Sequence, residues 1–259
     1  MMLRLAPLLL LLAGCDEQSI RPETNQMPAS QGRAKPAPAA APFSIEEKTA
    51  VYEFNFSWPA EAAAIPRLVR YLQAQMEKSK RELAGNAEKD KAFHDREKLE
   101  FHPHGWSTAY ETAGQSSRLL SLRVDSGGYT GGAHGNYGTA VHIWDRQARR
   151  EVKFADLFAQ PANRDRLLTQ RWCDAIDKAR AEKRDEPLGE GMFDDCPGLD
   201  DIAIIPADTD KDGRFERLVL IASPYVAGPY SEGSYEIELP MTPDLIAGLK
   251  VEYQPSFAA

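Results

Sequence analysis

Val51-Tyr52-Glu53-Phe54-Asn55-Phe56-Ser57-Trp58 alternates apolar and polar side chains, and Pro59 closes the run. A period of two marks a strand with one buried face. From Glu61 to about Leu83 the period changes. Ile65, Leu68, Val69, Leu72, Met76 and Leu83 fall on one helical stripe, with Lys, Arg and Glu opposite. Residues 85–98 are charged and read either as a solvated continuation of this helix or as a loop. Trp106 to Tyr110, Ser117 to Val124 and Thr139 to Asp145 read as strands, with a glycine-rich turn before the last. In that last strand Val141 and Ile143 face one side, His142 and Trp144 the other. The order then recurs. Arg149 to Phe154 reads as a strand, Phe154 to Phe158 as a turn that Asp156 can cap, and Leu167, Leu168, Trp172, Ile176 and Ala179 as a second amphipathic helix. Ile202 to Pro206, Phe215 to Ile221, Tyr235 to Leu239 and Val251 to Tyr253 follow as strands. Strand, helix, then several strands, twice over, predicts an α+β fold: antiparallel sheets with amphipathic helices on one face, in two similar halves, 43–147 and 148–259. The absence of a βαβα series argues against a doubly wound nucleotide fold.

Outside these elements the composition narrows the options. The 259 residues carry 31 Lys and Arg against 39 Asp and Glu, a formal charge of −8. Hydrophobic residues make up 42% and charged residues 27%, which excludes a mainly disordered or fibrous chain. The acidic balance argues against nucleic acid as a partner, because phosphate binding needs a basic footprint. Met1 to Arg4 gives a positive start, Leu5 to Leu12 an apolar stretch broken by Pro7, and Ala13-Gly14 small residues ahead of a cut. This pattern reads as a secretory signal over residues 1–14. Leu12-Ala13-Gly14-Cys15 resembles the bacterial lipobox, which implies cleavage before Cys15, thioether lipidation of its sulfur and acylation of the new N-terminus. An ordinary signal peptide with a chance cysteine is the alternative. Cleavage removes Arg4 and takes the charge from −8 to −9. Asp16 resembles an inner-membrane retention signal of enteric lipoproteins, yet other bacteria read other positions, so either membrane can hold the anchor. Residues 16–42 are rich in Gln, Pro, Ala and Ser and bury too little apolar surface to offset their ordering entropy. They read, with Cys15, as a lipidated tether in the periplasm.

Cys173 and Cys196 remain as an even pair in an exported chain, and an oxidising compartment makes a disulfide the expected state. No CxxC or Cys-His spacing supports a metal or a nucleophilic thiol instead. Asp208-Thr209-Asp210-Lys211-Asp212-Gly213 begins like a calcium loop, with oxygen ligands at alternate positions and a glycine for the turn. Asp208, Asp210, Asp212 and Glu216 are the candidate Ca²⁺ ligands. Val219 stands where the closing acid belongs, so an acidic hairpin turn is the competing reading.

Three segments carry a family resemblance. They are Tyr129-Thr130-Gly131-Gly132-Ala133-His134-Gly135-Asn136-Tyr137-Gly138, then Val152 to Phe158, then Tyr225-Val226-Ala227-Gly228-Pro229-Tyr230 followed by Ile237 to Pro240. In this order they resemble the extracellular domain of the anti-sigma factor RsiV and the related N-terminal region of the PdaC peptidoglycan deacetylase, over about residues 45–247. The resemblance implies an extracytoplasmic α+β module that in RsiV binds lysozyme and in PdaC accompanies a separate catalytic domain. Neither that catalytic domain nor a sigma-binding segment is recognisable in this sequence.

The glycine-rich segment offers Tyr129, Gly131, Gly132, His134 and Tyr137 as candidate ligand-binding residues, because such a loop can present backbone N–H groups to an anion or a glycan. It serves equally as a tight strand connection, and no Gly-Lys-Ser/Thr follows to make it a P-loop. His134 is the best single functional side chain. The other histidines show no zinc spacing, and His102-Pro103-His104 reads as a polar loop or an exposed metal contact. Asp194-Asp195 and Asp200-Asp201 read as a solvated charged face rather than an acid/base pair. Three functions follow. The first is a non-catalytic, lipid-anchored binding module whose partner is a basic protein such as lysozyme, or peptidoglycan. The second is an envelope hydrolase or esterase using His134, which lacks a Gly-x-Ser-x-Gly, Ser-x-x-Lys or His-Glu-x-x-His motif. The third is a structural lipoprotein of envelope assembly. No catalytic residue and no resident cofactor other than Ca²⁺ is expected.

Overall fold

A computed structural model describes residues 40–184, 191 and 193–259. Cys15, the signal segment, almost all of the tether and part of the loop between the two cysteines therefore lie outside the described residues.

Among the described residues nine strands form two sheets. Strands β1 (Phe43–Lys48), β2 (Tyr52–Trp58), β3 (His104–Gln115), β4 (Leu119–Tyr129), β5 (Asn136–Asp145) and β6 (Arg150–Val152) lie in that order in a six-stranded sheet. Strands β7 (Ala203–Ala207), β8 (Arg217–Ala222) and β9 (Tyr235–Pro240) form an antiparallel three-stranded sheet. The α+β class holds, with one correction to the antiparallel expectation. Strands β2 and β3 pair in parallel, Tyr52 opposite His104 through Ser57 opposite Ala109. Parallel neighbours need a long crossover, and the helix supplies it. After the short α1 (Ala60–Ala63), helix α2 runs from Pro66 to Glu97, about 48 Å at the α-helical rise. Pro66 occupies its first turn and holds Ile65 extended, which separates α1 from α2. The charged stretch 85–98 is helix, supported by the i,i+4 pair Lys91–Asp95 and ended by Lys98 in the left-handed region.

The alternating strand pattern sorts the large sheet into two faces. Phe54, Phe56, Trp58, Leu120, Leu122 and Trp144 pack with Leu68, Leu72 and Leu83 of α2. The opposite face meets the small sheet at one end. There Ala113 and Val141 lie against Ala203, Ile205 and Ile221, with β7 crossing β3, β4 and β5. The far side of the small sheet, Ile204, Leu218 and Leu220, packs with Leu168, Trp172 and Ile176 of α3 (Pro161–Arg184). Each sheet thus carries its long helix on one face, and the two sheets stack by their other faces. Beyond the small sheet, towards β1, none of the described elements covers the open face of the large sheet. The short β6, from the second part of the sequence, completes the first sheet at Ile143 and Trp144.

Two differences from the expected elements have local causes. β1 has only two apolar residues and gains its order by pairing with β2, Phe43 stacking on Trp58 at 3.9 Å between centroids. Val251 to Tyr253 is a turn rather than a strand. Val251 is 78% exposed, while Tyr253 turns inward to donate its hydroxyl to Asp145 at 3.1 Å. Asp145 is buried. Its burial alone would raise the carboxyl pKa, yet N–H groups of Ala148 and Gln147, Arg118 and Tyr253 together hold it below the ordinary value.

Candidate functional site

The glycine-rich segment is mostly strand. β4 runs on through Gly127 and Gly128 to Tyr129, and β5 starts at Asn136, so the true turn is 130–135. Gly131 takes a φ of +85°, which glycine alone adopts without strain. Gly128 is needed for packing, because a Cβ there would lie 2.9 Å from the Trp106 ring.

His134 and Tyr137 flank this turn's exit and meet a loop from far along the chain. The His134 ring stacks on Tyr230 at 4.0 Å, and Tyr137 and Tyr225 approach the same ring at 5.9 and 5.8 Å. Tyr230 donates its hydroxyl to the Gly135 carbonyl at 2.8 Å, and that carbonyl is also 2.9 Å from His134 Nδ1. Tyr225 is 53% and Tyr137 48% exposed. Tyr225 moreover sits at φ +70°, held by its N–H on the Gly228 carbonyl at 2.9 Å. A bulky residue in the left-handed region carries backbone strain, and here the strain displays a ring to solvent instead of burying it. Of the five residues singled out in the sequence, His134 and Tyr137 join this patch. Gly131 and Gly132 lie in the turn itself. Tyr129 lies on the open sheet face, with its Cβ 3.8 Å from where one on Gly105 would stand. Tyr225 and Tyr230 are the additional members.

Helix α3 holds the second loop in place. Arg180 is 0% exposed, and its guanidinium donates to the carbonyls of Ala227 (2.8 Å), Asp194 (3.2 Å) and Asp195 (3.0 Å) and to Asp177 (3.3 Å). One turn on, Arg184 bonds Glu232 at 2.9 Å and Asp194 at 2.6 Å, while Lys183 donates to the Glu232 carbonyl at 2.6 Å. Burial pushes the Tyr235 phenol up to about 12, aided by its hydrogen bond to Glu232. Burial alone would raise Glu232, but Arg184 and Tyr235 hold its carboxyl below the ordinary range. The carbonyls of Asp194 and Asp195 belong to the segment pinned by the Cys173–Cys196 disulfide, whose Cα atoms stand 5.4 Å apart. Asp194 pairs with Arg184 with both side chains largely covered, whereas Asp200, paired with Arg164, stays on the solvated face.

Two grooves adjoin the patch, one on each side of the thin glycine-rich end of the sheet. The first, about 510 Å³, lies on the open face over Asn55, Ser57, Ser107 and Gly127, with Tyr137 and Arg123 at its rim. The second, also about 510 Å³, lies between α2 and the strand ends, lined by Leu83, His104, Trp106 and His134. His104 is buried with Nε2 3.0 Å from Asp90, whereas His102 is exposed, so the two do not converge on a metal. His142 is likewise buried, paired with Glu151 at 3.2 Å.

At the acidic loop, carboxylate oxygens of Asp208, Asp210 and Glu216 gather within 4.8 Å of one another. Asp212 does not join them; it turns to Arg214 at 2.7 Å. Both oxygens of Asp208 accept backbone N–H groups, of Asp212 and Gly213, each at 3.1 Å. Glu216 Oε1 accepts from Thr209, while its Oε2 is buried without a partner among the described residues. Among the described residues no helix is long and apolar enough to cross a membrane.

Residues 45–137 match a family model described as "Deacetylase PdaC". Among solved structures the chain is similar to a DUF3298 family protein from Pseudomonas aeruginosa, at 16% identity, covering 85% of this chain and 97% of that one with a TM-score of 0.52. A DUF3298 family member from Bacteroides fragilis is similar at 16% identity, covering 84% and 97%, with a TM-score of 0.48. No curated protein matches. Residues 45–137 are therefore similar to the PdaC family model, and the chain has the fold of the Pseudomonas protein. The family match takes in His134 and Tyr137 and stops short of Tyr225 and Tyr230.

Proposed function

We propose that this chain is a lipid-anchored periplasmic binding module without catalytic activity, and that it captures a cell-wall partner through the patch of Tyr137, His134, Tyr225 and Tyr230. The patch carries the reading. Exposed tyrosines on a rigid frame give large contact area at small entropic loss, and they mark interfaces. His134 supports binding over hydrolysis, since its polar partner among the described residues is a backbone carbonyl and not an acid that would orient it as a base. The partners are peptidoglycan or a basic hydrolase of the lysozyme class, towards which an acidic surface steers encounter.

Capture on insoluble peptidoglycan and on immobilised lysozyme tests this. Wild type is retained on at least one, and Tyr225→Ala with Tyr137→Ala weakens retention about 30-fold, the loss of an aromatic hot spot of about 2 kcal/mol. Both side chains are exposed, so thermal stability stays within about 0.5 kcal/mol. Retention on neither surface, or turnover of an ester or glycan substrate that His134→Ala abolishes, sinks the proposal. For the anchor, Cys15→Ala is expected to lose palmitate incorporation and membrane fractionation together.

The partnerless Glu216 oxygen favours a weak calcium site with Asp208 and Asp210. Calcium at about 1 mM, the affinity range of extracellular modules, raises the thermal midpoint, and Glu216→Gln removes the rise. A midpoint indifferent to calcium leaves an acidic turn held by its own N–H groups.

A further inference from the structure

We infer that the groove on the open face of the large sheet is a binding site for a neutral saccharide chain, a reading that rests on the binding-module proposal and names its ligand. The starting point is two glycines where strands disfavour them. Gly105 and Gly127 lie inside β3 and β4, on the open face, opposite Tyr129 and Ser107 respectively. Neither has a positive φ. A Cβ on Gly127 would meet nothing closer than 3.5 Å, and on Gly105 nothing closer than 3.8 Å. Backbone and packing therefore both admit a side chain. Glycine inside a strand weakens it, and such a glycine often marks the close approach of a ligand. Here the missing side chains, with Ser57, Ser107 and Asn55 beside them, leave a floor of small polar groups. A shallower lobe of about 260 Å³ shares Asn55, Ser107 and Gly127 and continues the groove to Tyr129. The result is a trough lined by two tyrosines, Tyr137 and Tyr129.

The chemistry of the trough selects its occupant. β2, β3 and β4 are interior strands whose N–H and C=O groups are already consumed on both sides. An extended peptide docks by pairing its backbone with a sheet edge; the edges that border the groove are those of β1 and of β5 before Ile143, at its sides, and the floor offers none. What the floor offers is hydroxyls, an amide and aromatic rings. These suit a ligand whose hydrogen-bonding groups sit around its rim and whose faces are apolar enough to stack, as pyranose rings do. Charge excludes the anionic classes. Arg123, the basic side chain at the rim, is bonded to Asp125 at 2.7 Å and to Glu236 at 2.9 Å, and Glu46 and Asp125 add negative charge. A globular protein surface needs about 800 Å² of contact on each side, which a trough this narrow does not give by itself.

Calorimetric titration of the detergent-solubilised full chain tests the assignment with three probes: chitotetraose, tetralysine and a polygalacturonate fragment. Chitotetraose is expected to bind. Gly127→Val, which fills the trough, weakens it at least tenfold without lowering the thermal midpoint. Should Gly127→Val misfold, Gly105→Val makes the same obstruction from the next strand. No heat with chitotetraose, equal affinity in a folded glycine variant, or preference for either charged probe overturns the inference. Retention on peptidoglycan or lysozyme that survives Gly127→Val and is lost with Tyr225→Ala removes the trough while leaving the aromatic patch as the contact surface. Loss of all retention in the wild type removes both.

Discussion

Arg180→Met lowers the thermal midpoint by roughly 10 °C, for a loss of about 3 kcal/mol or more. Methionine keeps the volume and the helix propensity, so the loss isolates the guanidinium. Its four acceptors include three carbonyls, those of Ala227, Asp194 and Asp195, which come from two separate loops. An acceptor left without a partner away from water costs about 1–3 kcal/mol, and Ala227 is fully buried. Replacing a buried ion pair by apolar atoms is often harmless, because both charges leave together. That escape is closed here, since the partners are main-chain carbonyls that no substitution removes. Lysine at this position keeps the charge but not the fork, and it reaches fewer of the four acceptors, so Arg180→Lys recovers only part of the loss. Urea denaturation gives the free energies directly. A neutral or stabilising Arg180→Met means that the loops find other donors and that the guanidinium is not what holds them. Binding provides a second readout. The patch depends on Tyr225 and Tyr230, and Ala227 lies between them, so folded Arg180→Met protein loses affinity for whichever partner the wild type retains.

Arg180 also marks how far the sequence can be read. Leu168, Trp172 and Ile176 stand four residues apart, and the next place on that stripe is residue 180. A charge at a position where the period calls for an apolar group is visible in sequence, and it signals a buried polar contact. What it contacts is invisible, because Ala227 is 47 residues away. The same divide runs through the fold. Strands β2, β5 and β8 and helices α2 and α3 follow from periodicity, a local property. The parallel pairing of β2 with β3 is non-local, and the run Phe43 to Lys48, with two apolar residues, shows too little alternation to declare itself before it pairs. In the site, the glycine-rich segment announced itself, and so did His134 and Tyr137. Tyr225 and Tyr230 lie in a Gly-Pro turn that belongs to one of the three segments carrying the family resemblance, yet only the tertiary fold brings them against His134. Of the groove floor only Gly127, in the glycine-rich segment, stood out in the sequence; Asn55 and Ser107 did not, since the three come from three strands and only sheet register aligns them.

The second large effect concerns the bond that holds the other end of this clamp. Converting Cys173 and Cys196 to serine costs about 3 kcal/mol from the added freedom of the unfolded chain, for a loop of 23 residues. That much would hold for any bridge of this span. The structure adds a contribution in the native state. Residues 194–197 offer the carbonyls that receive Arg180 and, at 2.9 Å, the indole N–H of the buried Trp172. Without the bridge this segment still meets α3 through those hydrogen bonds and the Arg184–Asp194 pair, so the bridge and Arg180 act on one object. Their effects are then coupled. In the double-serine background Arg180→Met costs at least about 1 kcal/mol less than in the wild type, well outside the roughly 0.3–0.5 kcal/mol expected of independent sites. The cycle needs four proteins and one urea series each, all oxidised or cysteine-free. Additive losses show that the bridge acts on the unfolded chain only and that the loop keeps its place without it. Coupled losses tie the patch to the redox state of its surroundings. A reductant that opens the bridge then weakens partner capture in the wild type and leaves the serine variant, already weakened, unchanged.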